Sequence, residues 1–106
     1  MKKRALLWLA LGLFSAAQAA AQGTLRYGVE SQYPPFESRN AQGSLEGFDI
    51  ELGQAICQAG HFTCGWVESS FDALIPGLMA KKFDAINSAM NITEARMRSI
   101  AFTRPI

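Results

Sequence analysis

The stretch Phe48–Val67, FDIELGQAICQAGHFTCGWV, decides the fold class, because it changes from a helical to a strand-like pattern. In its first half, apolar residues recur at the i, i+3, i+4 and i+7 spacing of an amphipathic helix, at Leu52, Ala55, Ile56 and Ala59. We expect Asp49 to cap the start of this helix and Gly60 to form its left-handed end. The second half, Phe62–Val67, is rich in aromatic and β-branched residues and predicts a strand.

Strand-like and helical segments alternate along the rest of the chain. Three further strands are predicted, at Leu25–Val29, Phe83–Ile86 and Ile100–Thr103. Two further helices are predicted, one over Phe71–Lys82 capped by Ser69 or Ser70, and one over Glu94–Ser99 capped by Thr93. Each strand–helix pair spans roughly 20 residues, and such alternation predicts an α/β fold with a parallel sheet.

Two local features interrupt this alternation. Pro76 lies within the second predicted helix, so we expect a short turn before it and the main helical turns after it. The segment Ser38–Gly43 is polar and rich in turn-forming residues, which predicts an exposed loop.

The first 21 residues have the order of a secretory signal peptide. A basic start, Met1–Arg4, precedes the uncharged and mostly apolar run Ala5–Ala17, and small residues follow with cleavage expected after Ala19 or Ala21. The apolar run is shorter than the roughly 20 residues that a membrane-spanning helix needs. We therefore expect export to the periplasm, with residues 22–106 forming the exported domain.

The charge of the chain changes once this leader is set aside. The 106 residues carry a formal charge of +1, but three of the ten basic residues are Lys2, Lys3 and Arg4. The remainder holds 7 basic and 9 acidic residues, a net charge of −2. With 49% hydrophobic residues, this composition excludes a disordered tail, a collagen-like repeat and a nucleic-acid binder held by charge alone.

Cys57 and Cys64 lie close together in a chain that we expect to be exported. In an oxidising compartment this pair predicts a disulfide, which would stabilise the fold by about 2–3 kcal/mol. With His61 the two cysteines could instead supply three metal ligands, but no suitable fourth ligand lies nearby. A Cys–His nucleophilic pair is less favoured, because a disulfide would consume the thiol.

Parallel sheets bind ligands at the carboxyl ends of their strands, so three loops are of interest: Glu30–Phe36, Ser69–Asp72 and Asn87–Arg96. Arg96 is predicted to lie in the first turn of the helix that Thr93 caps, where the helix dipole disfavours a cation. This position indicates an anion site, to which Ser88, Asn91 and Thr93 add polar groups. The alternative is an ordinary surface arginine, which describes Arg98 better.

Aromatic and acidic side chains accompany this arginine. Tyr33 and Phe71 lie on two different loops and could enclose a flat or cationic group, although each could equally be a rim or core aromatic. Glu30 and Asp49 would suit a cationic ligand, although helix capping also explains Asp49 and Glu30 could simply be solvated.

Five ordered motifs carry further information. They are Tyr33-x-Pro35-Phe36, Gly47–Leu52 (GFDIEL), Phe71–Leu78 (FDALIPGL), Phe83–Ile86 (FDAI) and Asn91-Ile92-Thr93-x-x-Arg96. Together they resemble the family 3 periplasmic solute-binding proteins, the receptors of polar amino-acid ABC transporters. The similarity is greatest to the lysine/arginine/ornithine- and histidine-binding group, which shares the short Cys57–Cys64 spacing. The resemblance implies the first part of lobe I of a type II periplasmic binding protein-like fold, built from βαβ units.

The resemblance also implies that the loops bind an amino acid. Arg96 would bind its α-carboxylate, and the loop before Arg96 would hold the carboxylate and the α-amino group. The two aromatic side chains would stack on the ligand side chain, and the two carboxylates would face a cationic tip. The full set of implied ligand-binding residues is Glu30, Tyr33, Asp49, Phe71, Ser88, Ala89, Asn91 and Arg96.

Three positions depart from the pattern of that group. Glu30 stands where Asp is usual, so the carboxylate reaches one methylene further. Ala89 and Asn91 replace hydroxyl residues, which removes one side-chain donor at Ala89. These differences leave the choice among arginine, lysine, ornithine and histidine open.

The implied function is capture of a polar or basic amino acid for a membrane permease, by a monomer that is not an enzyme and uses no cofactor, metal or nucleic acid. Family members have two lobes, so we expect the second lobe to be missing and binding by the 106-residue chain alone to be weak. Alternative functions are a sensor region of a histidine kinase or an N-terminal module of a lytic transglycosylase. A dehydratase on the same fold is less favoured.

Overall fold

A three-stranded parallel β-sheet forms the centre of the protein. The computed structural model describes residues 23–106, so the predicted signal peptide lies outside the described part. The elements in chain order are β1 (Thr24–Val29), β2 (Ser38–Arg39), β3 (Leu45–Glu46), α1 (Phe48–Gly60), β4 (Thr63–Glu68), α2 (Phe71–Met79), β5 (Ala85–Ile86) and α3 (Glu94–Met97). The strand order β4-β1-β5 places β1 in the middle.

The register of the sheet brings three strand ends to one edge. β1 pairs with β4 from Thr24 opposite Thr63 to Val29 opposite Glu68, and it pairs with β5 where Tyr27 lies opposite Ala85. The predicted parallel α/β fold is therefore confirmed. Because all three strands run the same way, the loops that leave their carboxyl ends start side by side.

The start of α1 is capped by a loop rather than by a side chain. Gly47 is the N-cap residue, and the predicted cap Asp49 makes no such bond and lies buried in the first turn. The N–H groups of Phe48 and Asp49 donate instead to the carbonyls of Pro35 and Phe36, at 3.1 Å and 2.9 Å. The prediction for Asp49 was wrong because the Pro35–Phe36 backbone packs against the helix start and takes the capping role.

The end of α1 also differs from the prediction. Gly60 remains in the helix, and His61 adopts the left-handed conformation with φ of 60°. The N–H of Phe62 closes this end by donating to Cys57 O at 2.8 Å. Glycine at position 60 serves packing instead, because a Cβ there would lie 2.7 Å from the Phe62 ring.

The buried face of α1 is rotated from the predicted one. Ala55, Ile56 and Ala59 are exposed, whereas the buried residues are Asp49, Ile50, Gly53 and Cys57. Small size at Gly53 allows the helix to approach the sheet, because a Cβ there would lie 2.6 Å from the Trp66 ring. The helix was predicted correctly, but hydrophobicity alone identified the wrong face.

Replacing Gly47 with alanine is expected to destabilise the protein by about 1–3 kcal/mol. Gly47 has φ of 124°, and a Cβ would lie 2.4 Å from Phe36 O. The substitution therefore strains the backbone and separates the Pro35–Phe36 loop from α1. Urea unfolding measures the loss, with Gly43→Ala as a control at which φ is also positive, 78°, but no atom lies within 4 Å of the new Cβ. Equal losses in the two variants would contradict this explanation.

α2 continues through Pro76, contrary to the predicted interruption. The proline removes one main-chain donor but leaves Phe71–Met79 as one helix. The helix ends before Lys82 because Lys81 adopts a left-handed conformation and the N–H of Lys82 donates to Gly77 O at 2.9 Å. Ser70 is the N-cap residue, as predicted, but its side chain forms no cap hydrogen bond.

The last predicted strand, Ile100–Thr103, is absent from the described residues. The N–H groups of Ser99 and Ile100 both donate to Arg96 O, at 3.0 Å and 3.1 Å, and so continue the turn that ends α3. The predicted loop at Ser38–Gly43 is exposed for most of its length, but its first two residues form β2 and pair with β3 in an antiparallel hairpin.

The core lies between the sheet and its helices. Its buried hydrophobic residues are Tyr27, Val29, Ile50, Cys57, Leu74 and Phe83. Phe83 is 2% exposed and fills the space above two glycines, since a Cβ on Gly28 would lie 2.4 Å from its ring and one on Gly77 would lie 2.7 Å away. The predicted Cys57–Cys64 disulfide is confirmed and ties α1 to β4, with the two Cα atoms 5.8 Å apart. Within residues 23–106, no helix is both long enough and apolar enough to cross a membrane.

Candidate ligand-binding site

A cavity of about 250 Å³ opens at the carboxyl edge of the sheet. Every residue predicted for the site except Asp49 lines this cavity. Glu37, which was not predicted, lines it as well. The three loops expected to meet at this edge therefore do so. The lining residues are Glu30, Tyr33, Glu37, Phe71, Ser88, Ala89, Asn91 and Arg96.

Arg96 is the cationic group of this cavity. Thr93 caps α3 as predicted, because its Oγ1 accepts a hydrogen bond from the N–H of Arg96 at 3.1 Å. The guanidinium Nη1 donates to Asn91 O at 2.9 Å, and Cζ lies 5.4 Å from the centroid of the Phe71 ring. A loop carbonyl and an aromatic face thus hold the guanidinium at the cavity wall.

No carboxylate forms an ion pair with Arg96 in the part of the chain that the structure describes. The ion pairs found there join Arg26 to Asp84 and Arg39 to Glu68. α3 has only four residues, so its dipole attracts an anion less strongly than the longer helix predicted from the sequence would. The remaining N–H groups of the Arg96 guanidinium are suited to a carboxylate bound in a bidentate manner.

The two aromatic residues line the cavity in different ways. Phe71, at the start of α2, is half-buried and packs against the guanidinium of Arg96. Tyr33 is 52% exposed and stacks on Phe36, with ring centroids 5.5 Å apart. The Phe71 ring is therefore in contact with Arg96 inside the cavity, whereas much of the Tyr33 ring is exposed and could contact a bound molecule.

Glu30 lies where two cavities adjoin. Its Oε1 accepts a hydrogen bond from the N–H of Gln32 at 2.9 Å, which fixes the carboxylate within its own loop. A second cavity of about 530 Å³ continues past Phe71 and Glu30 to Glu68. A hydrogen bond from Arg39 lowers the pKa of Glu68 and occupies that carboxylate. Glu30 is therefore the acidic group that the two cavities share.

Ser88 joins three segments at the floor of the cavity and is 3% exposed. Its Oγ accepts a hydrogen bond from the N–H of Glu30 at 2.9 Å and donates one to Glu37 Oε1 at 2.9 Å. The hydroxyl thus connects the end of β1, the turn that follows it and the loop after β5.

Glu37 is a buried acid directly beneath this hydroxyl, with 1% of its surface exposed. Burial raises the pKa of Glu37 to about 8, and so do the neighbouring Asp49 carboxyl and the charge of Glu30. The hydrogen bond from Ser88 acts in the opposite direction. The sequence gives little indication that Glu37 belongs to the site. Its one distinguishing feature is that it is the single carboxylate between Ser31 and Ser38.

Asp49 lies behind the cavity rather than in its wall. It is 5% exposed, adjoins Glu37 and is not among the residues that line the cavity. Its main-chain O accepts a hydrogen bond from Asn87 Nδ2 at 2.8 Å, which attaches α1 to the loop after β5.

The loop after β5 brings the remaining two predicted residues to the cavity. Ala89 has a positive φ of 48°, which costs an alanine roughly 1 kcal/mol or more and is typical of functional loops. Asn91 lines the cavity and supplies the carbonyl that accepts from Arg96. Among residues 23–106, no group of three or more His, Cys, Asp or Glu side chains is arranged to hold a metal ion.

The free energy of unfolding is expected to fall as the pH rises from about 4.5 to about 8, because of Glu37. The pKa of Glu37 is higher in the folded chain than in the unfolded chain, so its stabilising contribution is complete below the unfolded value and is lost as the pH passes the folded value. Urea unfolding at about pH 5, 7 and 9 measures this dependence. Glu37→Gln should flatten it, whereas Glu51→Gln, which changes an exposed carboxylate on α1, should not. A Glu37→Gln curve parallel to that of the unaltered chain would contradict the expectation.

The sequence comparisons agree with this fold. The model for bacterial extracellular solute-binding proteins, family 3, matches residues 25–106. The chain is 48% identical to an L-arginine-binding protein of Pseudomonas aeruginosa, 51% identical to a histidine-binding periplasmic protein of Salmonella typhimurium and 49% identical to a lysine/arginine/ornithine-binding periplasmic protein of Escherichia coli. These matches cover 97% of this chain and 40–41% of each relative, so the chain spans about two-fifths of their length.

Solved structures extend the similarity to three dimensions. A Salmonella typhimurium periplasmic binding protein with high arginine specificity matches with a TM-score of 0.76 and 38% identity, over 77% of this chain and 37% of that one. An ancestral amino acid-binding protein, a precursor of cyclohexadienyl dehydratase, matches with a TM-score of 0.77 and 36% identity, over 79% and 37%. Because the family match covers residues 25–106, this chain belongs to the bacterial extracellular solute-binding proteins, family 3.

Proposed function

We propose that this chain forms one wall of a periplasmic receptor that captures arginine, lysine, ornithine or histidine and delivers it to the membrane permease of an ABC transporter. One observation carries the proposal: the guanidinium of Arg96, without an ion-pair partner among the described residues, and the carboxylate of Glu30 line the same cavity. A basic amino acid carries the complementary groups, an α-carboxylate and a cationic side chain. The names of the curated relatives support ligands of this class.

In this proposal the ligand carboxylate binds at Arg96. The guanidinium uses Nη1 to reach Asn91 O and keeps other N–H groups for the ligand. A charge-assisted bidentate bond of this kind orients the carboxylate as well as attracting it. The main-chain N–H of Ala89 and the side-chain amide of Asn91 provide further polar groups on the same wall.

The ligand side chain then extends along Phe71 towards Glu30. Phe71 already packs against one guanidinium, that of Arg96, and Tyr33 presents a second exposed ring at the mouth of the cavity. Glu30 lines the same cavity and supplies the negative charge that a cationic tip requires. Glu30 has a longer side chain than the Asp that is usual at this position, and the choice among the four basic amino acids stays open.

We propose binding without chemistry, because the carboxyl groups at the cavity have structural partners. Glu30 is held by Gln32, and Glu37 by Ser88. The similarity to an ancestral precursor of cyclohexadienyl dehydratase makes a dehydratase the second candidate. A cyclohexadienyl dehydratase assay distinguishes the two, and turnover that Glu30→Gln abolishes would favour the enzyme.

The cellular setting belongs to the same proposal. Export through cleavage after Ala19 or Ala21 leads to a periplasmic domain that begins near residue 22, and N-terminal sequencing of the exported protein tests that boundary. We propose that this domain works as a monomer and binds neither a cofactor nor nucleic acid. On the exported protein, light scattering tests the monomer and gel shifts test the absence of nucleic-acid binding.

The ligand proposal is tested in a chimera, in which a relative supplies the part of the protein that lies beyond this chain. In the chimera, residues 23–106 of this chain replace the corresponding segment of the Escherichia coli lysine/arginine/ornithine-binding relative, to which the chain is 49% identical. Calorimetry should detect binding of at least one of arginine, lysine, ornithine and histidine. It should detect no binding of agmatine, which lacks the carboxylate, or of glutamate, which lacks a cationic side chain. A folded chimera that binds none of the four basic amino acids would refute the proposal.

A further inference from the structure

Two buried carboxyl oxygens beneath the cavity lack a hydrogen-bond partner. They are Oε2 of Glu37 and Oδ2 of Asp49, and they belong to side chains that are 1% and 5% exposed. The two residues are neighbours, because the 33–37 turn packs on the start of α1 through the bond from Asp49 N–H to Phe36 O. An ionised carboxylate only accepts hydrogen bonds, so two ionised side chains would leave both oxygens unsatisfied in the protein interior.

One proton satisfies both oxygens at once. If one of the two groups is a neutral acid, its O–H donates to the other group, and one buried negative charge is removed. We propose that Glu37 and Asp49 form a carboxylic acid–carboxylate pair that shares one proton and positions the Ser88 hydroxyl at the floor of the cavity. This inference deepens the proposed function by assigning positioning residues to the same cavity.

The pair acts on Ser88 through its fixed geometry. Because the shared proton points towards Asp49, Glu37 Oε1 is left as an acceptor and takes the hydroxyl hydrogen of Ser88. The hydroxyl oxygen then accepts from the N–H of Glu30 and keeps one lone pair for the cavity. The pair therefore makes Ser88 an acceptor towards bound molecules and fixes the start of the Glu30 loop.

The charged groups around the pair favour the shared proton. Within the pair, the charge of Asp49, on α1, opposes ionisation of Glu37. Glu30, at the end of β1, adds a further negative charge that acts in the same direction. Arg96, on α3, also lines the cavity and is held by Asn91 and Phe71. Ser88 is the one group in the loop after β5 that favours ionisation of Glu37.

Infrared and NMR spectroscopy of the chain without ligand test the pair. A carbonyl stretch of a protonated carboxylic acid should persist at pH near neutrality, where exposed carboxyl groups are ionised, and should vanish in Glu37→Gln. The amide proton of Glu30 reports the Ser88 hydroxyl, so its chemical shift should change through about pH 8 in the unaltered chain and should not do so in Glu37→Gln.

Substitutions separate a positioning role from a general structural one. Glu37→Gln keeps a donor for Asp49 and an acceptor for Ser88, so the Glu30 amide shift should stay near its low-pH value, whereas Glu37→Ala should move it. Glu51→Gln should have no effect. Absence of the protonated-acid band, or a Glu30 amide that titrates equally in Glu37→Gln, would overturn the inference. Neither readout involves an amino acid, so these results do not depend on whether the proposed ligands bind.

Discussion

Replacing Arg96 with alanine is expected to weaken binding of a basic amino acid to the chimera by about 2–4 kcal/mol, or roughly 30- to 1,000-fold. The substitution removes the cation that lines the cavity and leaves the ligand carboxylate without a charge partner there. Arg96→Lys should recover only part of the loss, because an ammonium group cannot form the bidentate bond. Calorimetry with arginine, lysine, ornithine and histidine measures the change.

Arg98 provides the matched control for this experiment. It lies two residues further along the chain, at the end of α3, and is exposed away from the cavity lining. Arg98→Ala removes the same charge from the same short helix and should change the affinity less than about threefold. Similar losses in the two variants would mean that net charge, rather than a contact at Arg96, governs binding.

Replacing Phe83 with alanine is expected to destabilise the chain by about 3–5 kcal/mol. Phe83 is among the largest fully buried side chains, and its ring occupies the space above Gly28 and Gly77. Gly28 and Gly77 have no side chain that could move into the resulting cavity. The loss approaches the whole stability of a small domain, about 5 kcal/mol at the lower end. Urea unfolding monitored by circular dichroism measures it.

Phe48 provides the matched control for the core. It is 50% exposed at the start of α1, so Phe48→Ala removes a ring of the same size from the surface. We expect a loss of about 1 kcal/mol or less. A Phe83→Ala variant that unfolds at the same urea concentration as Phe48→Ala would show that the sheet is stabilised elsewhere.

Features determined by local chemistry could be predicted from the sequence. β1 and β4 follow from runs of β-branched and aromatic residues, and Thr93 caps α3 because its hydroxyl lies three residues before the N–H of Arg96. The site could be predicted to the level of loops, since parallel strands bring their carboxyl ends together. Every predicted site residue but one lines the cavity for this reason.

Features determined by contacts distant in sequence could not be predicted in this way. Asp49 has the chemistry of a helix cap, but the backbone of the Pro35–Phe36 loop caps α1 and leaves the carboxyl buried. The buried face of α1 depends on Gly53 beneath Trp66, which hydrophobicity does not encode. Ile100 has strand propensity, but its N–H is used by the turn after α3.

Glu37 is the functional candidate that depends most on the folded structure. A glutamate in a turn is usually exposed, and nothing in the sequence around it indicates burial. It becomes buried because the turn packs on α1, and this brings the side chain between Asp49 and Ser88. Local patterns therefore identified the walls of the cavity but not the acid beneath its floor.

A crystal structure of the chimera with L-arginine bound is the most direct test of the proposed site. We predict that the α-carboxylate of the ligand accepts two hydrogen bonds from the Arg96 guanidinium, with the ligand side chain lying along Phe71 and its cationic tip directed to Glu30. A ligand carboxylate bound by other residues, with Arg96 facing solvent, would contradict this prediction.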